Sequence, residues 1–266
     1  MEQSMLLRTL TLLTLLAAPV AAQSLADRVG RLGDGTAEFR FAAREGVCGD
    51  GAGMIGIGRS TQIVNDGESY GRGWRRVCLP GPVRVRLTMR GGDVQNLRAS
   101  VGEPRRESDV DTDLGTVSAP EAARWLLGLA ERAGGRVADR AILPAVLADS
   151  ATTWPQLLRL ARDESRPRGL RSSAAHWLGR QAAAAAAGGD ALDDSGDDED
   201  DDDTAVRTQA VFALSQMPRD QGVPPLLNVA RTNRDPHVRR AALFWLGQSL
   251  DARALDLFEE ILKSKR

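Results

Sequence analysis

Residues that commonly carry out chemistry are scarce in this chain of 266 residues, which contains only two histidines, two cysteines and one tyrosine. His176 and His237 lie far apart in the sequence, and two isolated histidines form neither a metal site nor a catalytic triad. Residues 51–56 fit a dinucleotide-binding glycine pattern, but no apolar strand precedes them and no amphipathic helix follows. The sequence therefore predicts a protein that is not an enzyme and that has no metal and no cofactor.

Long apolar runs are missing except at the N-terminus. Residues 9–18 form an apolar run preceded by Arg8, and small residues follow at positions 20–22. We interpret residues 1–22 as a signal peptide cleaved after Ala22, because the run is too short for a membrane span. No later stretch approaches a membrane-spanning length, so we expect no span in the mature chain. The expected location is periplasmic or secreted.

Only two cysteines are present, which excludes a cysteine-rich metal site, and they lie 30 positions apart, which excludes a CxxC redox pair. In an oxidising compartment, a single pair of cysteines most simply forms a disulfide. Closing a loop of this size stabilises a fold by roughly 3–4 kcal/mol in the chain-entropy model. We therefore predict a structural disulfide between Cys48 and Cys78.

Charge is unevenly distributed along the chain. All but Lys263 and Lys265 of the 35 basic residues are arginine, and residues 190–203 contain ten acids and no base. Removing these ten charges from the net charge of −1 leaves +9 on the rest. We interpret the acidic run as a solvated insertion that repels itself. The alternative is an arm that docks on the arginine-rich remainder. The acidic residues at 190–203 are not spaced as in an EF-hand loop, so no calcium site is predicted.

Alternating apolar and polar residues predict strands in the N-terminal part. Residues 83–90 alternate Val, Leu and Met with Arg and Thr, which predicts one buried and one wet face. Gly91-Gly92 predicts a hairpin turn, and Val94 is out of phase with the return strand, which predicts a β-bulge. We predict a small β-rich domain at residues 23–102 and a linker at residues 103–118.

One segment of the C-terminal part occurs twice. Residues 155–162 and 224–231 both contain Leu-Leu and end in Ala-Arg, and Trp-Leu-Gly follows each copy at 177–179 and 245–247. A third, partial copy lies at residues 206–216. Such self-similarity predicts stacked helical repeats that bury a shared core. The shared small and apolar positions are Ala174, Ala210, Ala242, Leu178, Leu214 and Leu246.

Two features of these copies predict further details of the repeat structure. Trp177 and Trp245 occupy equivalent positions, and we interpret both as core residues and not as a ligand platform. After Leu178 the expected second helix is replaced by Ala182–Ala187, two glycines and the acidic run. We therefore expect a second helix shortened to the alanine stretch.

The repeated motif resembles HEAT repeats, in particular the short bacterial form that also occurs in proteins related to phycobilisome lyases. The resemblance covers about residues 119–266 and implies an all-α stack, an α-solenoid, so the whole chain is α+β in two parts. In this family an Asp and an Arg usually form a ladder between repeats, which implies Arg171, Arg207 and Arg239 as ladder members. A direct contact of these arginines with a partner is the alternative. Two copies of the motif carry the resemblance. One consists of Asp235, Val238, Arg239, Ala242, Leu246 and Gly247, and the other of Asp203, Val206, Arg207, Ala210, Leu214 and Ser215.

These patterns favour an exported, non-enzymatic scaffold that binds a protein or peptide partner on its repeat surface. Two alternatives stay open: a lyase- or chaperone-like enzyme accessory that binds a small ligand, and a structural envelope protein. The arginines are interspersed with acids and form no continuous basic stripe, so no nucleic-acid partner is expected.

Overall fold

The computed structural model describes residues 23–57, 60–63, 78–104, 109–187 and 202–264. The predicted signal peptide, with its cleavage after Ala22, lies outside the described residues, and so does most of the acidic run. Within the described ranges, no helix combines the length and the apolar character needed to cross a membrane.

Strands dominate the N-terminal part and helices the C-terminal part, which confirms the predicted division into β-rich and helical regions. In chain order the described elements are α1 (Leu25–Val29), β1 (Gly35–Phe41), β2 (Val47–Gly49), β3 (Met54–Ile57), β4 (Ser60–Ile63), β5 (Val83–Arg90), β6 (Asp93–Val101), β7 (Thr112–Thr116), α2 (Ala119–Arg132), α3 (Gly135–Val146), α4 (Trp154–Arg162), α5 (Arg168–Ala187), α6 (Asp202–Ser215), α7 (Arg219–Thr232), α8 (Pro236–Ser249) and α9 (Ala252–Ser264).

The main sheet has the strand order β6-β5-β1-β7. β5 pairs antiparallel with β1 and β6, whereas β7 pairs parallel with β1. The apolar residues of β5 are buried and Thr88 and Arg90 are exposed, as the period-two pattern predicted. The predicted turn has positive φ at Gly91 (61°) and Gly92 (82°), and the register shift beside Met89 places the predicted bulge next to Val94.

β2, β3 and β4 form a second, antiparallel sheet around the disulfide. The Sγ atoms of Cys48 and Cys78 lie 2.05 Å apart, so the predicted disulfide is present. A Cβ on Gly56 would come within 2.7 Å of the Cys78 Sγ and 2.9 Å of the Cys48 Sγ. Gly51 has a φ of +72° and faces the backbone carbonyl of Glu103. The glycines of this pattern therefore allow close packing at Gly56 and a left-handed backbone conformation at Gly51.

The predicted boundary, a β-rich domain at 23–102 and a linker at 103–118, is wrong. Residues 112–116 form β7, the edge strand of the main sheet, and one continuous core joins the strands to α2 and α3. The Trp125 ring on α2 packs edge-on against Phe39, with centroids 5.6 Å apart. β7 resembles a linker in sequence because every residue in it is exposed or half-buried, so it has no alternating pattern.

Helices α4 to α9 do not pack in the order in which they occur in the chain. α8 lies between α5 and α6 and also packs closely on α7, whereas its contact with α9 is small. α9 packs instead on α5 and α4. The predicted α-solenoid, in which each pair packs on the next in sequence, is not confirmed.

The predicted short second helix at Ala182–Ala187 is wrong, because α5 runs without a break from Arg168 to Ala187. Alanine has the highest helix propensity of all residues, so the alanine stretch extends the helix. Gly179 therefore lies inside α5.

Candidate protein-binding site

The two full copies of the repeat contact each other through glycine. A Cβ on Gly179 of α5 would lie 3.0 Å from the Gly247 Cα and 3.0 Å from the carbonyl oxygen of Leu243. A Cβ on Gly247 of α8 would lie 3.1 Å from the carbonyl oxygen of Ala175. Because these atoms belong to backbone, any larger side chain forces α5 and α8 apart. The repeated Trp-Leu-Gly therefore marks the point where the two helices cross.

Aromatic side chains form a continuous row beside this crossing. In spatial order the row, called the aromatic row below, consists of Trp177, His176, Phe244, Trp245 and Phe212. Successive ring centroids are 5.2, 5.8, 5.0 and 5.1 Å apart. The first three contacts are edge-on, which is a geometry that aromatic pairs prefer. The row links three helices, α5, α8 and α6.

The aromatic row becomes more exposed toward α6. Trp177 is buried, as predicted, Phe244 and Trp245 are half-buried, and Phe212 is exposed to 37%. The guanidinium of Arg180 lies 5.6 Å from the centre of the Trp177 ring. Partly exposed aromatic rings beside an arginine are enriched at protein interfaces. Trp245 is thus only partly the core residue that was predicted.

His176 behaves as an uncharged aromatic member of this row. Burial, together with the positive charge of Arg180, lowers the pKa of His176 to about 4. The neutral ring accepts at Nδ1 a hydrogen bond that the Gln248 side-chain amide donates, with 2.6 Å between the nitrogens. The imidazole is therefore engaged within the α5–α8 contact. His237 lies elsewhere, in the first turn of α8, where its backbone N–H donates to Asp235 Oδ1.

Two of the three arginines predicted as ladder members donate hydrogen bonds to the end of the preceding helix. Arg171 Nε donates to the carbonyl oxygen of Ala161, in the last turn of α4. Arg239 donates to the carbonyl oxygens of Asn233 and Arg234, just after α7. Both satisfy backbone acceptors at the end of the preceding helix, where a cation is favoured. Arg207 is exposed on α6.

An ordered contact between repeats does exist at Asp235, the N-cap of α8. Its Oδ2 accepts a hydrogen bond from Thr204 Oγ1 of α6 at 2.8 Å. Despite the desolvation that opposes it, the pKa of Asp235 is lowered by hydrogen bonds from Thr204 and from the backbone of His237 and Val238. This contact joins α6 to the first turn of α8, and the role of Arg207 in a ladder stays a prediction.

The opposite side of the stack is formed by α4, α9 and α7 and is charged. Arg162 of α4 contacts Asp256 and Glu259 of α9 at 2.6 and 2.8 Å. Arg231 of α7 contacts Glu260 of α9 at 2.9 Å. Exposed ion pairs of this kind contribute little to stability but keep a surface solvated. The aromatic row and this charged side therefore distinguish two faces of the same stack.

α6 carries apolar residues on the side that faces away from α8. Val206 is exposed to 67% and Met217 to 43%, and Ala210 and Ala213 are also exposed. Val206, Ala210 and Ala213 are spaced by four and three residues and lie in one line, which we call the α6 stripe, whereas Met217 lies two residues beyond the end of α6. In α8, the residues at the positions equivalent to Val206 and Ala210 are Val238 and Ala242, which are fully buried.

A cavity of about 710 Å³ lies apart from the stack, between α1, the β5–β6 hairpin and the turn joining α2 to α3. Its apolar lining includes Trp125, Leu129 and Val137, and Arg132 and Arg136 stand at its edge. The volume is in the range of small-molecule pockets. Among the residues that the structure describes, no group of three His, Cys, Asp or Glu side chains could hold a metal ion.

Comparison with known proteins supports the assignment of the helices. A family model described as HEAT repeats matches residues 197–266, which include α6 to α9. This match supports a HEAT-repeat domain, as the motif predicted. No curated protein and no solved structure matches the chain.

The aromatic row was not recognised from the sequence, although a signal for it exists. His176, Phe212 and Phe244 occupy the same position in the three copies of the motif, two residues after the shared alanine. Their shared spacing placed them on one side of each helix. Which side would stay accessible depended on the stacking order of the helices, and periodicity does not encode that order.

Proposed function

We propose that this chain is an exported, non-enzymatic HEAT-repeat protein that binds a protein partner on the face formed by α5, α8 and α6. The observation that carries this proposal is the aromatic row, which crosses three helices and becomes exposed at Phe212. Large, rigid aromatic side chains lose little conformational entropy on binding and dominate interface energetics. HEAT repeats are commonly protein-interaction modules, which agrees with this use of the stack.

Site-specific crosslinking in the producing cells tests the proposal. A photoreactive amino acid is placed at Gln248, beside the aromatic row, and as a matched control at Glu260, on the charged side of α9. We expect a discrete crosslinked partner from position 248 and none from position 260. Adding Phe212→Ala and Trp245→Ala should weaken the specific band at least tenfold, because each removes an aromatic contact. Identical bands from both positions, or none from position 248, would contradict the proposal.

Export is also part of this proposal. The sequence of residues 1–22 supports it. The apolar run, the preceding Arg8 and the small residues before Gln23 are the features that signal peptidase recognises. Mass spectrometry of the protein recovered from the periplasm or medium should show an N-terminus at Gln23. Recovery of the protein only from the cytoplasm with residues 1–22 intact would refute export.

The cavity beside Trp125 favours a second candidate function, a lyase- or chaperone-like accessory that binds a small ligand. The resemblance of the motif to the phycobilisome-lyase type of repeat supports this alternative. Native mass spectrometry of the protein purified from its own cells should then reveal a bound small molecule. Ala133→Phe, which fills the cavity from its edge, should abolish that mass shift, whereas protein free of ligand would rule this function out.

A further inference from the structure

The two helices that cross beside the aromatic row carry charge of one sign. α5 contains three arginines and α8 contains two, and neither helix contains an aspartate or a glutamate. On the charged side, α9 contains three acids, and each of them forms an ion pair with an arginine of α4 or α7. The positive charge of α5 and α8 is therefore not balanced by carboxylates on the same helices, as it is across the α4, α9 and α7 side.

Arg240 of α8 is an arginine without a partner among the residues that the structure describes. It is half-buried, its Nε is buried without an acceptor, and its guanidinium forms no hydrogen bond or ion pair with a described residue. A guanidinium that has lost part of its water and gained no acceptor in exchange binds an incoming carboxylate favourably. Because Arg240 is only partly covered, such a carboxylate can approach from outside the stack.

Arg240 and Arg180 lie on opposite sides of the aromatic row. Equivalent residues of α5 and α8 meet in the same order along both helices, so the helices run in the same direction where they cross. Arg240 is one helical turn before Phe244, whereas Arg180 is one turn after His176. The Arg180 guanidinium lies 5.6 Å from the centre of the Trp177 ring, at that end of the row. The aromatic row is therefore bordered by a positive charge on each side.

We infer that the partner bound on this face is an acidic protein segment that also carries apolar side chains. The inference rests on the proposed function and adds the chemistry of the partner. Carboxylates of the segment pair with Arg240 and Arg180, and its apolar side chains pack on Phe244 and Phe212 between them. Opposite charges on the two surfaces steer the encounter and select the partner, and arginine and aromatic residues dominate interface energetics.

The aromatic row fits a protein segment better than a nucleic acid, although both are anionic. Single-stranded nucleic acids bind by stacking their bases on the faces of aromatic rings. Three of the four contacts in the row are edge-to-face or nearly so, which occupies ring faces, and most of the rings are at least half-buried. Few ring faces are left for bases, whereas aliphatic and aromatic side chains of a protein can pack on ring edges.

Charge reversal combined with photocrosslinking from position 248 tests this chemistry in the producing cells. Arg240→Glu places a negative charge beside the row and should weaken the crosslinked band at least tenfold. Arg231→Glu is the matched control, because Arg231 is exposed on the charged side, and it should leave the band unchanged. Mass spectrometry of the crosslinked segment should identify a stretch with more Asp and Glu than Lys and Arg. Circular dichroism verifies that both variants remain folded.

The outcomes of this experiment separate the inference from the proposed function. A band of normal intensity in Arg240→Glu, or a crosslinked segment rich in Lys and Arg, would overturn the inference and leave the proposed function intact. The absence of any band from position 248 would overturn both. A crosslink only to residues 190–203 of the same chain would also overturn both, because the acidic run would then be the occupant of this face.

Binding of synthetic probes to the purified protein provides a second measurement. The probe is a labelled peptide in which Glu and Phe alternate, and the controls are the peptide with Lys in place of Glu and a single-stranded oligonucleotide. Fluorescence anisotropy should show at least tenfold tighter binding of the Glu peptide than of the Lys peptide. This preference should decrease as salt is raised and in Arg240→Glu. The same affinity for both peptides, or tightest binding of the oligonucleotide, would overturn the inference.

Discussion

Single residues set how closely the two copies of the repeat approach each other. Gly179 and Gly247 lie at equivalent positions, and each faces the backbone of the other helix at a distance that a side chain would obstruct. Gly56 is confined in a similar way, because a Cβ at this position would press on the sulfur atoms of the disulfide. Glycine is retained at these positions because of contacts between distant segments, although it disfavours regular structure locally.

Replacing Gly179 by valine should destabilise the protein by about 1–3 kcal/mol, because the added atoms press on the backbone of α8. Gly169→Val is the matched control, since Gly169 lies in the same helix and a Cβ there meets nothing within 4 Å. Its effect should remain below about 1 kcal/mol. Urea denaturation measures both free energies of unfolding, and equal values for the two variants would contradict the close crossing.

His176 should make the protein less stable in mild acid. Its pKa is about 4 in the folded state against an ordinary value of 6.5, so the unfolded chain binds more protons between these limits. The free energy of unfolding should therefore fall as pH decreases from about 6.5 to about 4. His176→Phe, which introduces the residue found at the equivalent Phe244, should flatten that slope. An unaltered slope in His176→Phe would disprove the assignment.

At the scale of elements, the outer face of the main sheet is held by a buried ion pair. Arg84 of β5 contacts Glu38 of β1 at 3.0 Å, and its Nε donates to the carbonyl oxygen of Gly102. Both side chains are largely buried, although the alternating pattern of residues 83–90 placed Arg84 on the wet face. Glu103 contacts the same guanidinium at 3.0 Å. The segment that follows β6 is thereby fastened to the sheet.

Removing one partner of this ion pair should lower the free energy of unfolding substantially. Arg84→Met leaves the Glu38 carboxylate buried without its main partner, so we expect a loss of about 3–5 kcal/mol. Adding Glu38→Leu should recover a large part of that loss, because no buried charge then remains. Arg98→Met, on the exposed side of β6, serves as the control with an expected effect below about 0.5 kcal/mol. Thermal and urea unfolding distinguish these outcomes, and a double variant as unstable as Arg84→Met would speak against the ion pair.

The disulfide should stabilise the smaller sheet and with it the whole fold. Reduction should lower the free energy of unfolding by about 2–5 kcal/mol. The double variant Cys48→Ala and Cys78→Ala should have that lower stability in both the presence and absence of a reductant. A stability of the natural chain that does not respond to reduction would show that the bond contributes little.

For the whole molecule, the order in which the helices pack is the main departure from a regular repeat stack. Residues 188–201 connect α5 to α6, and α8 lies between these two helices. Passing one helix requires roughly 16–20 Å, twice the usual distance between packed helix axes. Fourteen residues can span at most about 50 Å. The insertion is therefore long enough to permit the observed order, whatever its charge contributes.

Shortening this connection should disrupt the stack. Four residues reach at most about 14 Å, so a four-residue turn in place of 188–201 should prevent α6 from docking beyond α8 and lower the unfolding free energy. A neutral Gly/Ser linker of the original length is the control and should preserve stability. Hydrogen exchange of α6 and α7 measures their docking. If the neutral linker is also destabilising, the acidic arm itself docks on the body, which is the alternative that the sequence left open.

The sequence by itself determined the local structure of this protein. The period-two run at 83–90 specified β5, paired cysteines specified the disulfide, and the repeated motif specified a HEAT-repeat domain, because all three depend on neighbouring residues or on composition. Tertiary structure alone decided that β7 completes the sheet, that α8 separates α5 from α6, and that the aromatic row and the α6 stripe are exposed. These features depend on which distant segments meet, and the repeated helices have nearly the same apolar face. Similar faces can pack in several orders, so the order follows from the total burial and close packing of the whole chain.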